Sequence, residues 1–270
     1  MKRNLLIIGL PALVLVLLAV VWLSRSHTPP RPPPLPRGAM SFARTTADAK
    51  VALTLAPALA RYPGLRLRLY DDGVKELTEF LQSAGGDRAH ALAKGRASPI
   101  YERKIAWTLE GATPKLVSAR ESWFDFTGAA HPDHGQLSML WDPIQDLPVE
   151  REDLLRPGAD QGRLDRILCQ AVRWAETTRQ TPGQGAGQDV DDWPCPHWRD
   201  SRFVLAPSTT PGKLGGVIFL FDPATVGPYA QGDYTVTVPQ ALIHADLSPA
   251  WASEFAGAPE PAPAPAAKAA

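Results

Sequence analysis

The stretch from Gly216 to Val238 constrains this chain more than any other part of it. Val217 to Phe221 is a short apolar run of the kind a buried strand makes, and Tyr234, Val236 and Val238 alternate with threonines as a half-buried strand does. Between them Asp222-Pro223 and Gly227-Pro228 stop strand and helix alike, and Gly232 supplies a position free to take positive φ. Two strands must therefore be joined by a fixed corner that carries one aromatic residue, Tyr229.

Similar patterns recur upstream. Strand signals fall at Val51 to Leu55, Leu65 to Tyr70 (strict Leu/Arg alternation), Ile105 to Leu109, Leu116 to Thr127, Leu137 to Trp141 and Arg202 to Leu205. Leu164, Ile167, Leu168, Ala171, Val172 and Ala175 form a continuous apolar stripe on a helix from about Gly162 to Thr178. A second helix is expected from Asp72 to Gln82, capped by Asp71 or Asp72, with Gly85-Gly86 as its end. Clusters of strands broken by single helices predict an α+β class with mostly antiparallel sheets, arranged as two helix-on-antiparallel-sheet halves.

The ends of the chain are of different composition. Leu5 to Leu23 is an uncharged apolar run, about long enough to cross a roughly 30 Å hydrocarbon core as a helix, and it lacks the small-residue cleavage site of a secretory signal. Lys2 and Arg3 beside it place the N-terminus inside. The expected organisation is a cytoplasmic stub (1–4), a transmembrane anchor (5–24), a proline-rich spacer (25–47), an N-terminal α+β half (48–148), a C-terminal α+β half (149–255) and a disordered Ala/Pro tail (256–270). The bulk of the chain would then lie in the periplasm or outside, held by Leu5–Leu23 to the cytoplasmic membrane.

Lys and Arg total 28, as do Asp and Glu, and neither a basic cluster nor a glycine-rich phosphate loop is present. Nucleic acid is therefore not an expected partner, and no cofactor is expected. Cys169 and Cys195 fall in the part expected to be exported, where disulfides form and persist, and are expected to pair.

Candidate chemistry is sparse. His131, Asp133 and His134 are suitable zinc ligands by type, and would make the chain a metal-dependent hydrolase or deacetylase of envelope glycans. A catalytic metal needs a further rigid ligand with second-sphere support, however, and no HExxH-like motif supplies one. The segment Thr127–Gly135 reads more simply as a hairpin loop with Gly and Asx turn chemistry. Ser118, Ser122 and Ser138 lack the Gly-x-Ser-x-Gly setting of a nucleophile, so no catalytic residue is assigned. Trp107, Trp123, Trp141 and Trp174 are expected in the core, whereas Trp193 and Trp198 flank Cys195 in a loop. Rigid aromatics in loops make low-entropy contacts, so the candidate ligand or partner contacts are His131, His134, Trp193, Trp198 and Tyr229.

The order of several segments carries a resemblance. Trp107-Thr108, Pro114 to Ser118, Phe124 to His131, Leu140 to Asp142 and Glu152 to Leu155 precede the Gly227-Pro-Tyr-Ala-Gln-Gly232 corner. Together they resemble a family of extracytoplasmic domains of unknown function found in the lysozyme-sensing anti-sigma factors of Gram-positive bacteria and in some peptidoglycan deacetylases. The likeness spans roughly residues 50 to 250, with Ala129 where the pattern has a second glycine. It implies a non-catalytic binding or sensing module of the cell envelope, with lysozyme or a peptidoglycan-related glycan as ligand. Met1 to Asn4 offers no room for a sigma-binding region, so binding without direct transcription control is expected. A structural envelope protein is the remaining alternative.

Overall fold

The computed structural model describes residues 40–179 and 193–261. The expected anchor, most of the spacer, residues 180–192 and the end of the tail lie outside these. Among the described residues no helix is long and apolar enough to cross a membrane.

The strands are β1 (Met40–Thr45), β2 (Ala49–Leu55), β3 (Tyr101–Ala112), β4 (Val117–Phe126), β5 (Asp133–Asp142), β6 (Leu147–Val149), β7 (Arg202–Pro207), β8 (Leu214–Phe221) and β9 (Tyr234–Pro239). Among the described residues three α-helices accompany them: α1 (Pro63–Ala93), α2 (Gln161–Arg179) and the short α3 (Gln240–Ile243). Strands β1 to β6 form one sheet in sequence order and β7 to β9 a second. Every pairing is antiparallel except β2 with β3, which run parallel because α1 carries the chain back between them. The fold is thus α+β with two sheets and few helices, as the clustering of strand signals implies.

Period-two patterning gives each face of the first sheet its own core. Val51, Leu53, Leu55, Ile105, Trp107, Val117 and Ala119 point to the face covered by α1, whose Leu65, Leu69 and Leu77 meet them. On the other face, Leu116 and Leu140 join Phe203, Phe219, Val236 and Val238 of the second sheet and Leu164, Leu168 and Val172 of α2. The two halves are therefore not separate domains, since residues of the first sheet belong to the core of the second half.

A polar bolt fixes the junction. Ser118, fully buried on β4, accepts hydrogen bonds from the backbone N–H of Leu205 on β7 (2.9 Å) and of Gly111 on β3 (3.3 Å). Gly111 sits at a bulge in β3, and an added Cβ there would lie 2.5 Å from the carbonyl oxygen of Leu205. Glycine is what allows the two backbones to approach so closely.

Four expectations are corrected. Leu65 to Tyr70 is not a strand but the first turns of α1, where Leu65 and Leu69 share a buried face at i, i+4 while Leu67 and Arg68 are exposed. Gly85-Gly86 does not end that helix, which runs on to Ala93. The spacer gives way to β1 at Met40, since this segment pairs antiparallel with β2. Finally, the tail does not begin at 256: Ser208 bridges Pro259, and the N–H of Glu260 donates to the carbonyl of Pro207 at 2.9 Å.

Two acidic groups mark strained balances of charge. Glu121 on β4 is buried on the α1 side, and one carboxylate oxygen has no hydrogen-bond partner among the described residues. Burial, reinforced by Glu76 of α1 and opposed by Arg103 of β3, raises its pKa from 4.5 to about 7. Arg103 is itself engaged, donating to Glu76 and to Asp125 (2.9 Å) and lying over the Trp123 ring. The second group is Asp246, which is buried and takes Arg163 of α2 as an ion pair, with Arg156 at 3.6 Å. Because both arginines are half-exposed, losing Asp246 leaves charges that water can reach. Asp246→Ala is therefore expected to destabilise by only about 1–2 kcal/mol, read from the denaturant midpoint, and an unchanged midpoint would refute this account.

Candidate binding surface

Two loops form the surface on which the sequence-derived contacts converge. The first, Thr127 to Pro132, joins β4 to β5. Its entry depends on Gly128, which takes φ 87° and would, with a Cβ, lie 2.5 Å from the Pro99 ring. The second loop joins β8 to β9 through a 3-10 turn at Tyr229–Gln231 and leaves by Gly232 at φ 71°. The Tyr234 hydroxyl bonds Gln231, closing the corner from below.

These loops, about a hundred residues apart in sequence, touch at two points. The His131 and Tyr229 rings are tilted against each other with centroids 5.7 Å apart. His134 Nε2 lies 3.3 Å from Asp233 Oδ1. A side-chain clasp beneath them holds the approach. The backbone N–H of Gln136 donates to Asp222 (3.0 Å), while Arg202 donates both to the Gln136 carbonyl (3.0 Å) and to Asp222 (2.8 Å). Because β6 pairs only with Leu140 to Asp142, Asp222 and Arg202 occupy the place along β5 where a neighbouring strand would otherwise bond. None of this trio had a local signal: Gln136 lies 66 residues from Arg202 and 86 from Asp222.

The expected metal set does not assemble. His131 turns to Tyr229, Asp133 accepts the N–H of His134 at 2.9 Å, and His134 turns to Asp233. Among the described residues no group of three or more His, Cys, Asp or Glu side chains is placed to hold an ion. The alternative reading of His131, Asp133 and His134 as a shared metal site is thereby corrected.

The tryptophans near the disulfide are elsewhere. Cys169 and Cys195 are bonded, with Cα atoms 5.1 Å apart. Trp198 is not a surface contact: it is 2% exposed and packs edge-on to Phe219 at 4.7 Å. Asp165 of α2 positions that turn by accepting from the Trp198 N–H (2.7 Å) and by pairing with His197, whose pKa it raises. Trp193 is half-buried, its carbonyl accepting from Arg173 at 2.7 Å. Trp174, expected in the core, is 71% exposed, because it falls two positions past Val172 and so points away from the buried stripe. Of the five expected contacts, His131, His134 and Tyr229 share one surface and the two tryptophans do not join it.

Comparison with solved structures places this architecture. A DUF3298 family protein from Pseudomonas aeruginosa PAO1 matches with a TM-score of 0.55 at 17% identity, over 81% of this chain and 94% of that one. The fold is that of a DUF3298 protein. A member of the same family from Bacteroides fragilis matches with a TM-score of 0.48 at 15% identity, covering 80% of this chain and 95% of the other. No protein-family model and no curated protein matches the sequence. The DUF3298-like fold agrees with the expectation of a domain family of unknown function.

Proposed function

We propose that this chain is a non-catalytic binding or sensing module of the cell envelope, held by Leu5–Leu23 to the cytoplasmic membrane with its folded part outside. Its contact surface is the joined hairpin and corner around His131, His134 and Tyr229. The ligand is a peptidoglycan-related glycan or the wall-active protein lysozyme. One observation carries this reading: the two loops that bear the family-like signature meet, and they present Tyr229 with half of its surface exposed.

An aromatic face fixed by its neighbours is suited to stacking on a sugar ring or to anchoring a protein interface. The His134/Asp233 contact and the Gln136 clasp hold the loops in place, so little freedom is lost on binding. The test is a titration of the detergent-solubilised full chain with lysozyme and, separately, with soluble peptidoglycan fragments. Saturable binding to one of them is expected, weakened about tenfold or more in Tyr229→Ala. Absence of binding to both, or undiminished binding by the variant, would remove the assignment.

A further inference from the structure

Away from that surface, a cavity of about 520 Å³ opens between the turn after β6 and the start of α2. Its size lies within the range of small-molecule sites, about 300–1,000 Å³. The inner wall is apolar, made by Leu155, Trp198 and Phe203. The polar groups around it are of both signs. Arg199 has no ion pair or hydrogen bond among the described residues, and Arg151 uses one guanidinium nitrogen on the carbonyl of Ser201, keeping the rest. Glu152 and Asp153 also line the cavity, with no ion pair among the described residues, while Arg156 is engaged by the Ala245 carbonyl and Asp246. At the first position of α2, the Gln161 Oε1 atom is buried with no hydrogen-bond partner among the described residues.

Each simple ligand class leaves something on this wall unmet. A bare anion would sit against Glu152, and a bare cation against the arginines. A purely apolar molecule would leave the Gln161 acceptor buried and unpaired, an unfavourable state for a polar group. What meets both signs of charge and the Gln161 acceptor together is a molecule with a carboxylate, an ammonium donor and an apolar body between them. We infer that this cavity binds a short zwitterionic peptide with an apolar side chain. Its carboxylate would pair with Arg199, its nitrogen donor with Gln161 Oε1 and Glu152, and its side chain would lie on Trp198 and Phe203. Trp198 thus serves as a packed wall.

The experiment is calorimetric titration of the full chain with the dipeptide Ala-Phe, its N-acetyl form, its C-terminal amide and free phenylalanine. Ala-Phe is expected to bind saturably, and blocking either end to weaken binding about tenfold or more, the worth of a charge-assisted hydrogen bond. Arg199→Gln, a change at an exposed residue, should reproduce the loss for Ala-Phe while leaving the amide unaffected. Gln161→Leu should weaken Ala-Phe but not the N-acetyl form. Equal affinity for free phenylalanine would support the zwitterion site with a smaller occupant. Lack of saturable Ala-Phe binding, or undiminished binding of the blocked forms, would overturn the inference. Tyr229→Ala is expected to leave dipeptide binding unchanged, which separates this cavity from the surface of the proposed function.

Discussion

Replacing Ser118 by alanine is expected to destabilise the protein by about 2–4 kcal/mol. The hydroxyl is fully buried and is the acceptor for two backbone N–H groups, those of Leu205 and Gly111, which belong to different sheets. Alanine fills almost the same space, so the loss is not one of packing. It comes from two donors left without an acceptor in a dry interface, at about 1–3 kcal/mol for each buried group that loses its partner. Gly111 is held against the Leu205 carbonyl too closely for either strand to shift and find another acceptor. Denaturant unfolding of Ser118→Ala should show a lower midpoint with an unchanged slope. A stability within 0.5 kcal/mol of the parent would mean that the junction relaxes easily or admits water.

The second large effect has a pH signature. Because Glu121 titrates at about 7 in the folded protein against 4.5 ordinarily, its proton is held more tightly folded than unfolded. For a carboxyl raised in this way, stability is greatest below pH 4.5, falls as pH rises from 4.5 through 7, and is level above that. The gap corresponds to about 3 kcal/mol. Glu121→Gln keeps the shape and removes the charge. The variant should match the parent at pH 4 and exceed it by about 3 kcal/mol at pH 8, in unfolding curves measured across that interval. If the two pH profiles stay parallel, the carboxylate is better compensated by Arg103 than its surroundings indicate.

Much of the frame was legible in the chain. The alternation at Tyr234, Val236 and Val238 and the apolar run at Val217 to Phe221 announce β9 and β8, because strands half-buried or fully buried write their period directly. The stripe from Leu164 to Ala175 likewise announces α2. Leu65 to Tyr70 misled, since Leu/Arg alternation satisfies a period of two over six residues while the same leucines continue at helical spacing through Gly73 and Leu77. Strand β1 was hidden because it is an edge with few buried residues, formed by pairing and not by its own pattern. At the candidate surface, His131, His134 and Tyr229 could be singled out locally, but Asp222, Arg202 and Asp233 could not. Their roles exist only once two loops distant in sequence are brought together.

The clasp of Asp222 and Arg202 on Gln136 also bears on how copies of this protein behave side by side. A bare strand margin is a template on which another chain can lay itself down. By occupying the Gln136 amide and carbonyl, the two side chains close that margin of the first sheet over the stretch β6 does not reach. The sheet's opposite margin is β1, a short strand carrying Arg44. Among the described residues neither border of this sheet offers a long, uncharged ribbon, so pairing between copies along it is disfavoured.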